Sequence, residues 1–554
     1  MSDVVVTTST GGAAAIEPPR SPLREVWSIA WPTVLAMTSY TLMQFVDKMM
    51  VGWVGPTQLA AQTSGNIWSF SLLSFVLGVL TVVNTYVSQN LGAGTPRNGP
   101  KYAWAAFWLG LFIWVFLLLP YAFVIPWVFS DLMPRISPNA AAKSAELVSM
   151  ESGYAQIMVL GSIFLLVGRG INQFFFGLHR PHIVTIAAIS GNIVNILVDY
   201  VLIFGEKGLP QFGLPGIPGV TPLGIYGAAI ATVCGSAVEM SIPLCLFLGG
   251  KLQRELGTRD AWRPRLDTIK DLLRLGWPAA VQWGNELICW AIFMTVLVGS
   301  FGEDHLAACA IAFGYMSLSF MPAVGFSVAT NSLVGKYIGA GQPETAIART
   351  RLTLTLAMCY MTFCALIFFF FRHPLIGAFI GHDVDPARAA RIIEIGGKIM
   401  ICTAVFQTFD AFGIVYTGAL RGAGDTVWPG VVTMLLSWIF IVGGGYAMAF
   451  AWPQLESIGP WVASAVYIIL YGLVMWWRFA AGHWRSIDLL KRGKCAKCGY
   501  DMRQNANGVC PECGTRMDAA QEARDEAADP ALGAVTCAVP TVMGEVAEPV
   551  GSKN

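Results

Sequence analysis

The chain alternates between long apolar runs and short polar connections. Twelve runs stand out, at 26–50, 60–86, 103–130, 153–176, 183–205, 224–249, 270–299, 306–335, 350–371, 397–419, 428–451 and 458–480. A bilayer core is crossed by about 20 residues of helix, so each run predicts one transmembrane helix. Pro32, Gly78, Pro278 and Gly325 fall inside runs, which membrane helices tolerate because neighbouring groups satisfy the freed backbone. The first 20 residues are rich in Ser, Thr and Ala and carry "EPPR" at their end. They lack a basic start followed by an apolar core, so they predict a disordered tail and not a signal peptide.

Lys and Arg mark the cytoplasmic connections of a membrane protein. The stretch after the sixth run carries Lys251, Arg254, Arg259, Arg263, Arg265, Lys270 and Arg274, and Arg97, Lys101, Lys336, Arg349, Arg351, Arg485, Lys491 and Arg492 fall on the same side. The opposite connections 51–59 and 300–305 have none. The connection near 372–398, with Arg372, Arg388, Arg391 and Lys398, breaks the pattern. The balance predicts a multi-pass protein of the plasma (inner) membrane with both termini in the cytoplasm, as an even helix count requires.

The runs repeat. "VGWVGPTQLAA" (51–61) aligns with "VGSFGEDHLAA" (298–308) at an offset of 247 residues, and the same offset aligns "GVLTVVNTYVSQNLGAG" (78–94) with "GFSVATNSLVGKYIGAG" (325–341). A later pair is "FFFGLHRP" (174–181) with "VYTGALRG" (415–422). Shared apolar composition does not place Gly and Asn in matching slots over such distances. The halves begin six spans apart with the same orientation, which predicts two six-helix lobes related by an axis along the membrane normal, a plan transporters use. The expected fold is an all-α polytopic membrane protein of 12 transmembrane helices in two pseudo-symmetric lobes. The N-lobe is 25–250, the C-lobe 270–482, and 251–269 is a cytoplasmic linker between them. Residues 1–24 form a disordered cytoplasmic N-terminus.

Ionisable residues inside such spans are costly and mark functional candidates. The N-terminal half has Asp47, then Asp199 with Asn195 one turn earlier on the same helix face, and Thr232 to add a hydroxyl. Two carboxylates, an amide and a hydroxyl are hard oxygen groups suited to Na⁺ or to a held proton. Lys48 follows Asp47, so a plain surface pair is the competing reading there. The C-terminal half has Glu286 with Gln282 one turn before it, and Asp410 with Gln407 three residues before it. No Lys or Arg lies within reach of Glu286 on its own helix. Such a group is poised to exchange a proton, or to swap it for a cation. Glu239 is a weaker candidate, and Arg169 is the main basic residue inside a span.

Composition agrees with this picture. Of 554 residues, 55% are hydrophobic and 12% charged, against about 25% charged in soluble domains. A net charge of +1 gives no case for nucleic acid as a partner. The His residues are dispersed, and there is no Ser/His/Asp order, H-E-x-x-H or phosphate-cradling loop, so no enzyme is predicted. The Gly-Ala-Gly turns at 92–94 and 339–341 read as tight turns ending membrane helices.

Twelve cysteines include eight scattered ones (Cys234, Cys245, Cys289, Cys309, Cys359, Cys364, Cys402 and Cys537). Most lie in apolar segments, where Cys acts as a small hydrophobe, and no disulfide framework is expected. The other four are clustered as "CAKCG" and "CPECG", giving Cys495, Cys498, Cys510 and Cys513. Four thiolates in two knuckles complete a tetrahedral structural Zn²⁺ site, with "NANG" as the turn between them. Disulfides are disfavoured in a reducing cytoplasm. Residues 494–515 therefore predict a zinc-ribbon-like module, unfolded without metal, and 516–554 a disordered tail.

The stretches "FVDKMMVGWVG", "VSQNLGAG", "NIVNILVDYVLIFG", "GAAIAT", "LGWPAAVQWGNE", "FMPAVGFSVATNSLVGKYIGAG" and "FDAFGIVYTGALRGAGDT" together make the chain resemble the multidrug and toxic compound extrusion (MATE) family, in its NorM-like branch, over about residues 25–480. The resemblance implies lobes forming a V around a central cavity and export of small, amphipathic organic cations by antiport with Na⁺ or H⁺. It implies that Asp47, Asn195, Asp199 and Thr232 form a cation site in the N-lobe, and that Glu286 and Asp410 serve in the C-lobe. Where NorM-like members often show His-Gln and then Asn after "LAA", this chain has Cys309, Ala310 and Gly314, which weakens Na⁺ coordination in the C-lobe. A monomer in the lipid bilayer is expected, with the ribbon an appendage whose partner the sequence does not name. Two other readings remain. One is a flippase or exporter of lipid-linked saccharides in the same broad superfamily. The other is a non-transporting receptor that signals through the metal module.

Overall fold

The computed structural model describes residues 21–136, 143–209, 215–380 and 385–490. Twelve long helices carry the chain: α1 (Pro22–Val54), α2 (Thr57–Gly92), α3 (Pro96–Arg135), α4 (Ala145–Gly177), α5 (Pro181–Lys207), α6 (Ile225–Phe247), α7 (Leu266–Phe301), α8 (Glu303–Gly339), α9 (Pro343–Phe370), α10 (Pro386–Ala423), α11 (Val427–Ala451) and α12 (Ile458–Ala480). Eleven of them are long and apolar enough to cross a membrane. In α1 the Trp, Ser, Thr and Tyr residues of "WSIAWPTVLAMTSYT" dilute the hydropathy. Each predicted run falls on one of these helices, with 224–249 and 350–371 overrunning the ends of α6 (Ile225–Phe247) and α9 (Pro343–Phe370) slightly. The helix starts have local causes: Ser21, Ser144 and Asp385 each accept the N–H three residues on, satisfying a donor the first turn leaves free. Gly424, at φ 93°, stops α10 in the left-handed region, where a Cβ is strained.

The helices extend past the runs mainly at polar ends. The largest extension falls in the anomalous basic connection. Arg388, Arg391 and Lys398 are part of α10, and Arg388 binds Glu303 at 2.9 Å and Asp304 at 2.6 Å, while Lys398 binds Glu394 at 2.7 Å.

α2, α4, α5 and α6 pack with α1 and α3 into one bundle, and α8, α9, α10 and α12 with α7 and α11 into the other. The bundles meet through α1 on α8, α2 on α7 and the end of α2 on α8. The first two are the same contact under the 247-residue offset, and the third pairs the two repeats with each other. A Cβ on Gly78 would collide with the backbone of Ala279 and Ala280, and one on Gly325 with the backbone of Val34. The repeated glycines therefore let helices of opposite halves cross closely.

Hydrogen bonds and ion pairs between the halves, among the described residues, gather at one end of the bundles. There Thr85 Oγ1 donates to Asn331 Oδ1 (3.1 Å) and to the Arg421 carbonyl (3.0 Å). Gln89 Nε2 donates to the Gly422 carbonyl (2.9 Å), and Ser332 Oγ to the Phe176 carbonyl (2.6 Å). Glu25 accepts from Lys336 Nζ (2.9 Å), Tyr337 OH (2.7 Å) and Arg349 Nε (2.7 Å). His179, in the turn between α4 and α5, lies 3.0 Å from the Ser332 carbonyl through Nε2. Burial and the nearby Lys336 charge push its pKa down to about 4, so the ring is neutral there. At the opposite end, contacts stay within a half, as with His305 Nδ1 and Ser457 Oγ at 2.8 Å. The lobes are closed at the end bearing Gly92 and Gly339.

Candidate functional site

In the first half, α1, α5 and α6 bring the four predicted residues together. Thr232 Oγ1 donates to Asp47 Oδ2 at 3.2 Å. Asp47 and Asp199 lie close enough for their carboxyl groups to interact directly, with Asn195 beside both. Asp199 and Asn195 are fully buried and Asp47 nearly so, whereas Lys48 points outward. The surface-pair reading of Asp47 therefore fails on burial. Small residues make the close approach possible: a Cβ on Gly235 would press on Asn195, and one on Gly191 on the Gly235 carbonyl. Met50, Val51, Ile203 and Phe204 pack as an apolar plug on one side of the cluster.

The polar accounting at this cluster is incomplete. Asp47 Oδ1, both oxygens of Asp199 and both amide atoms of Asn195 are buried without a hydrogen-bond partner of good geometry. Buried polar groups are ordinarily satisfied, and two buried carboxylates side by side cannot both stay charged without a cation or a proton. The cluster has the chemistry of a site that takes up a proton or a small hard cation. Tyr154 also lies near both carboxylates, with Gln62 beside it. No sequence motif singles out these two residues.

In the second half, Glu286 on α7 accepts from Tyr467 OH at 3.4 Å, and Asp410 on α10 is near enough to feel its charge. Both are half-buried. Gln282 Nε2 donates to Thr433 Oγ1 and to Tyr471 OH, each at 3.2 Å, and Tyr471 OH meets Thr417 Oγ1 at 2.6 Å. Gln282 thus lies in a polar network one turn from Glu286. Gln407 points elsewhere: its Nε2 donates to Ser319 Oγ at 2.6 Å and its Oε1 has no partner. The tyrosines of α12 and Arg421, whose charge reaches Glu286, went unmarked at the sequence level, since residues far apart in the chain converge only once the helices pack. Cys309 is fully buried and its sulfur receives the Trp461 indole N–H at 3.1 Å. That position holds a packed thiol where an oxygen cage would need a hard ligand.

Among the described residues, no group of three or more His, Cys, Asp or Glu side chains is arranged to hold a metal ion, and the seven scattered cysteines in this part of the chain are unpaired. Cys495, Cys498, Cys510 and Cys513 lie outside the described residues.

Comparison with known proteins gives concordant results. The MatE family profile matches residues 32–201 and 286–446, one segment in each half. A probable multidrug resistance protein NorM of Burkholderia pseudomallei is 30% identical over 454 residues, covering 81% of this chain and 91% of that one. A probable NorM of Thermotoga maritima is 28% identical, covering 74% and 82%. Among solved structures, one titled as the outward-facing conformation of a multidrug resistance MATE family transporter of the MOP superfamily superposes with a TM-score of 0.71 at 18% identity, covering 84% of this chain and 97% of that one.

Proposed function

The chain belongs to the MatE family of membrane transporters, which are not enzymes, and from that premise we propose that it is a secondary antiporter exporting small amphipathic organic cations in exchange for H⁺ or Na⁺. The observation that carries this reading is the pair Asp47 and Asp199, buried together with oxygens unpartnered. A site so built is neutralised by an ion and gains little from a fixed role. The likeness to NorM multidrug resistance proteins supports the substrate class.

Coupling requires two arrangements that each ligand biases differently. A proton or Na⁺ binds the Asp47–Asp199 cluster in the arrangement closed at the Glu25 end. A cationic substrate meets the half-buried acids Glu286 and Asp410 and the rings of Tyr467 and Tyr471, where cation–π contacts add to charge attraction. Ion uptake and substrate release are then linked because each ligand biases one of the two arrangements. The chain works as a monomer in the plasma membrane with both termini cytoplasmic. The module at 494–515, holding structural Zn²⁺ through Cys495, Cys498, Cys510 and Cys513, is an appendage to the transport core.

Efflux of tetraphenylphosphonium from vesicles, run with separate Na⁺ and pH gradients, tests this. Transport driven by one of the gradients is expected, and lost with Asp47→Asn, Glu286→Gln and Asp410→Asn. Unimpaired efflux in all three would sink the reading. A flippase of anionic lipid-linked sugars predicts no such gradient dependence, and a non-transporting receptor predicts no efflux.

A further inference from the structure

Three helices of the N-lobe turn polar sides toward one another. α1 carries Tyr40, Gln44 and Asp47, α5 carries Asn192, Asn195 and Asp199, and α6 carries Thr232, Ser236 and Glu239. Each set is spaced by three or four residues, so it lies along one side of its helix. The sides meet. Thr232 Oγ1 donates to Asp47 Oδ2 at 3.2 Å, and Asn192 Nδ2 donates to Ser39 Oγ. A Cβ on Gly235 would press on Asn195, and one on Gly191 on the Cβ of Glu239. The column leaves the Asp47–Asp199 cluster at Thr232 and reaches Glu239 about 10 Å further along α6, at the rise of 1.5 Å per residue. Glu239 is an acid that the cluster itself does not use. Asn172 donates Nδ2 to its Oε1 at 3.0 Å, while Asn172 Oδ1 is buried without a partner. Arg169 is close enough for its charge to act on Glu239, yet among the described residues the two form no ion pair. A crevice of about 10 Å³ lies between Arg169, Ser236 and Glu239, which suits one water and no larger ligand. An acid and a guanidinium kept for structure alone gain most by closing into a direct pair. Held by a neutral amide instead, Glu239 loses no partner when it takes a proton. The Tyr40 hydroxyl, beside Gln44, is within reach of the charges of Glu239, Arg169 and Asp47.

We propose that Glu239 is a second proton station, fed from the Asp47–Asp199 cluster along this column, with Arg169 as its counter-charge. The transfer balances. Asp199 gives up its carboxyl proton and becomes a carboxylate, and Glu239 gains a proton and becomes a carboxylic acid. The Tyr40 hydroxyl releases a proton on one side as it takes one on the other, and one water in the crevice at Ser236 links it to Glu239. Chains of acids and hydroxyls inside membrane spans serve as proton relays. The charged or titratable groups that face Glu239 are Arg169 from α4 and Tyr40 from α1, while α5 brings Gly191 and Asn192. A proton passes between groups joined by hydrogen bonds or by one water. Na⁺ needs room for itself and for several oxygen ligands, which the crevice does not offer. The column therefore selects H⁺ as the ion that travels beyond the Asp47 cluster.

The relay rests on the antiporter reading, and two measurements separate them. The first is the infrared difference spectrum of the full chain in lipid nanodiscs, taken between alkaline and acidic buffer, which shows each carboxyl group that takes up a proton. Glu239→Gln should remove one carboxylic acid band that Asp199→Asn leaves in place, and Glu239→Asp should restore a band. Arg169→Met should move the pH at which that band appears, and Arg169→Lys should preserve it. A spectrum that Glu239→Gln leaves unchanged overturns the station. The second is efflux of tetraphenylphosphonium from vesicles under a pH gradient. It should fall about tenfold with Glu239→Gln and with Tyr40→Phe, since neither an amide nor a phenyl ring relays a proton, and Glu239→Asp should restore most of the rate. Tyr40→Phe keeps the ring and its packing, so it carries the transport test if Glu239→Gln fails to fold. Unimpaired efflux in both variants overturns the relay. If the wild type shows the band but neither a pH nor a Na⁺ gradient drives efflux, the antiporter reading fails while the proton station stands.

Discussion

Gly92 lies against the carbonyl of Lys336, and under the 247-residue offset the reciprocal contact is present as well, with Gly339 against the carbonyl of Gln89. Both glycines end long helices and both belong to a Gly-Ala-Gly turn. A Cβ at either place would run into backbone, which cannot swing aside as a flexible side chain can. Their role is in closing the two halves together, beyond the tight turn their sequence suggests.

Gly92→Val should therefore destabilise the closed end by about 1–3 kcal/mol, the usual cost of overpacking. The expected result is a lower melting temperature in detergent and faster labelling of a cysteine placed at Gln89. Labelling and melting identical to wild type would show that the halves do not depend on this crossing.

Asp47→Asn and Asp199→Asn should each reduce ion-driven efflux at least about tenfold, because an amide neither holds an exchangeable proton nor neutralises a cation. Thr232→Ala removes one hydrogen bond to Asp47 and should cost only about 1 kcal/mol, or several-fold in ion affinity. Initial rates against external pH and Na⁺ in vesicles check the order of these effects.

Glu25, just ahead of the first apolar run, is held by Lys336, Tyr337 and Arg349. Burial alone would raise its pKa, but these partners bring it down to about 2. The lowered value means the folded clamp favours the charged form. Its contribution is full above the ordinary carboxylate pKa, near 4.5, and is lost only as pH falls toward 2. Across pH 5.5 to 8 the clamp should be insensitive to protons, whereas Glu25→Gln should loosen the closed end at every pH in that range. Spin-label distances between the halves, measured against pH, test this. A clamp that opens between pH 8 and 5.5 in the wild type contradicts it.

Cys495→Ser should release bound zinc and leave efflux within about twofold of wild type, since a four-Cys site loses its closed shell with one ligand. Metal content by mass spectrometry and vesicle efflux on the same preparation check both halves of the statement. Loss of transport in correctly inserted protein would place the ribbon within the machine.

The legible and illegible parts divide along physical lines. Bilayer thickness forces long apolar runs, so all twelve helices could be read from hydropathy, including α1, whose hydroxyl and aromatic residues dilute it. The repeated glycines were readable as a repeat, but not as the points where α1 meets α8 and α2 meets α7, because crossing partners lie about half a chain away. Asp47 and Asp199 stand out in the sequence because charge in a span is rare enough to be noticed singly, and Asn195 because it lies one turn from Asp199. Tyr467, Tyr471 and Tyr154 do not, as tyrosine is common in membrane helices and only packing turns it toward an acid. Gln407 fell between: it lies three residues from Asp410, yet its amide is used by Ser319.

The paired crossings, Gly78 on Ala280 with Gly325 on Val34 and Gly92 on Lys336 with Gly339 on Gln89, have the form of an isologous interface, in which the same patch on two bodies meets itself. In such a seam each half presents to the other the same patch that it receives. Tethering two copies in one chain removes the need for identity. The lobes are then free to diverge, one keeping a sealed acid cluster at Asp47 and Asp199 and the other a half-buried pair at Glu286 and Asp410, while the seam between them stays symmetric.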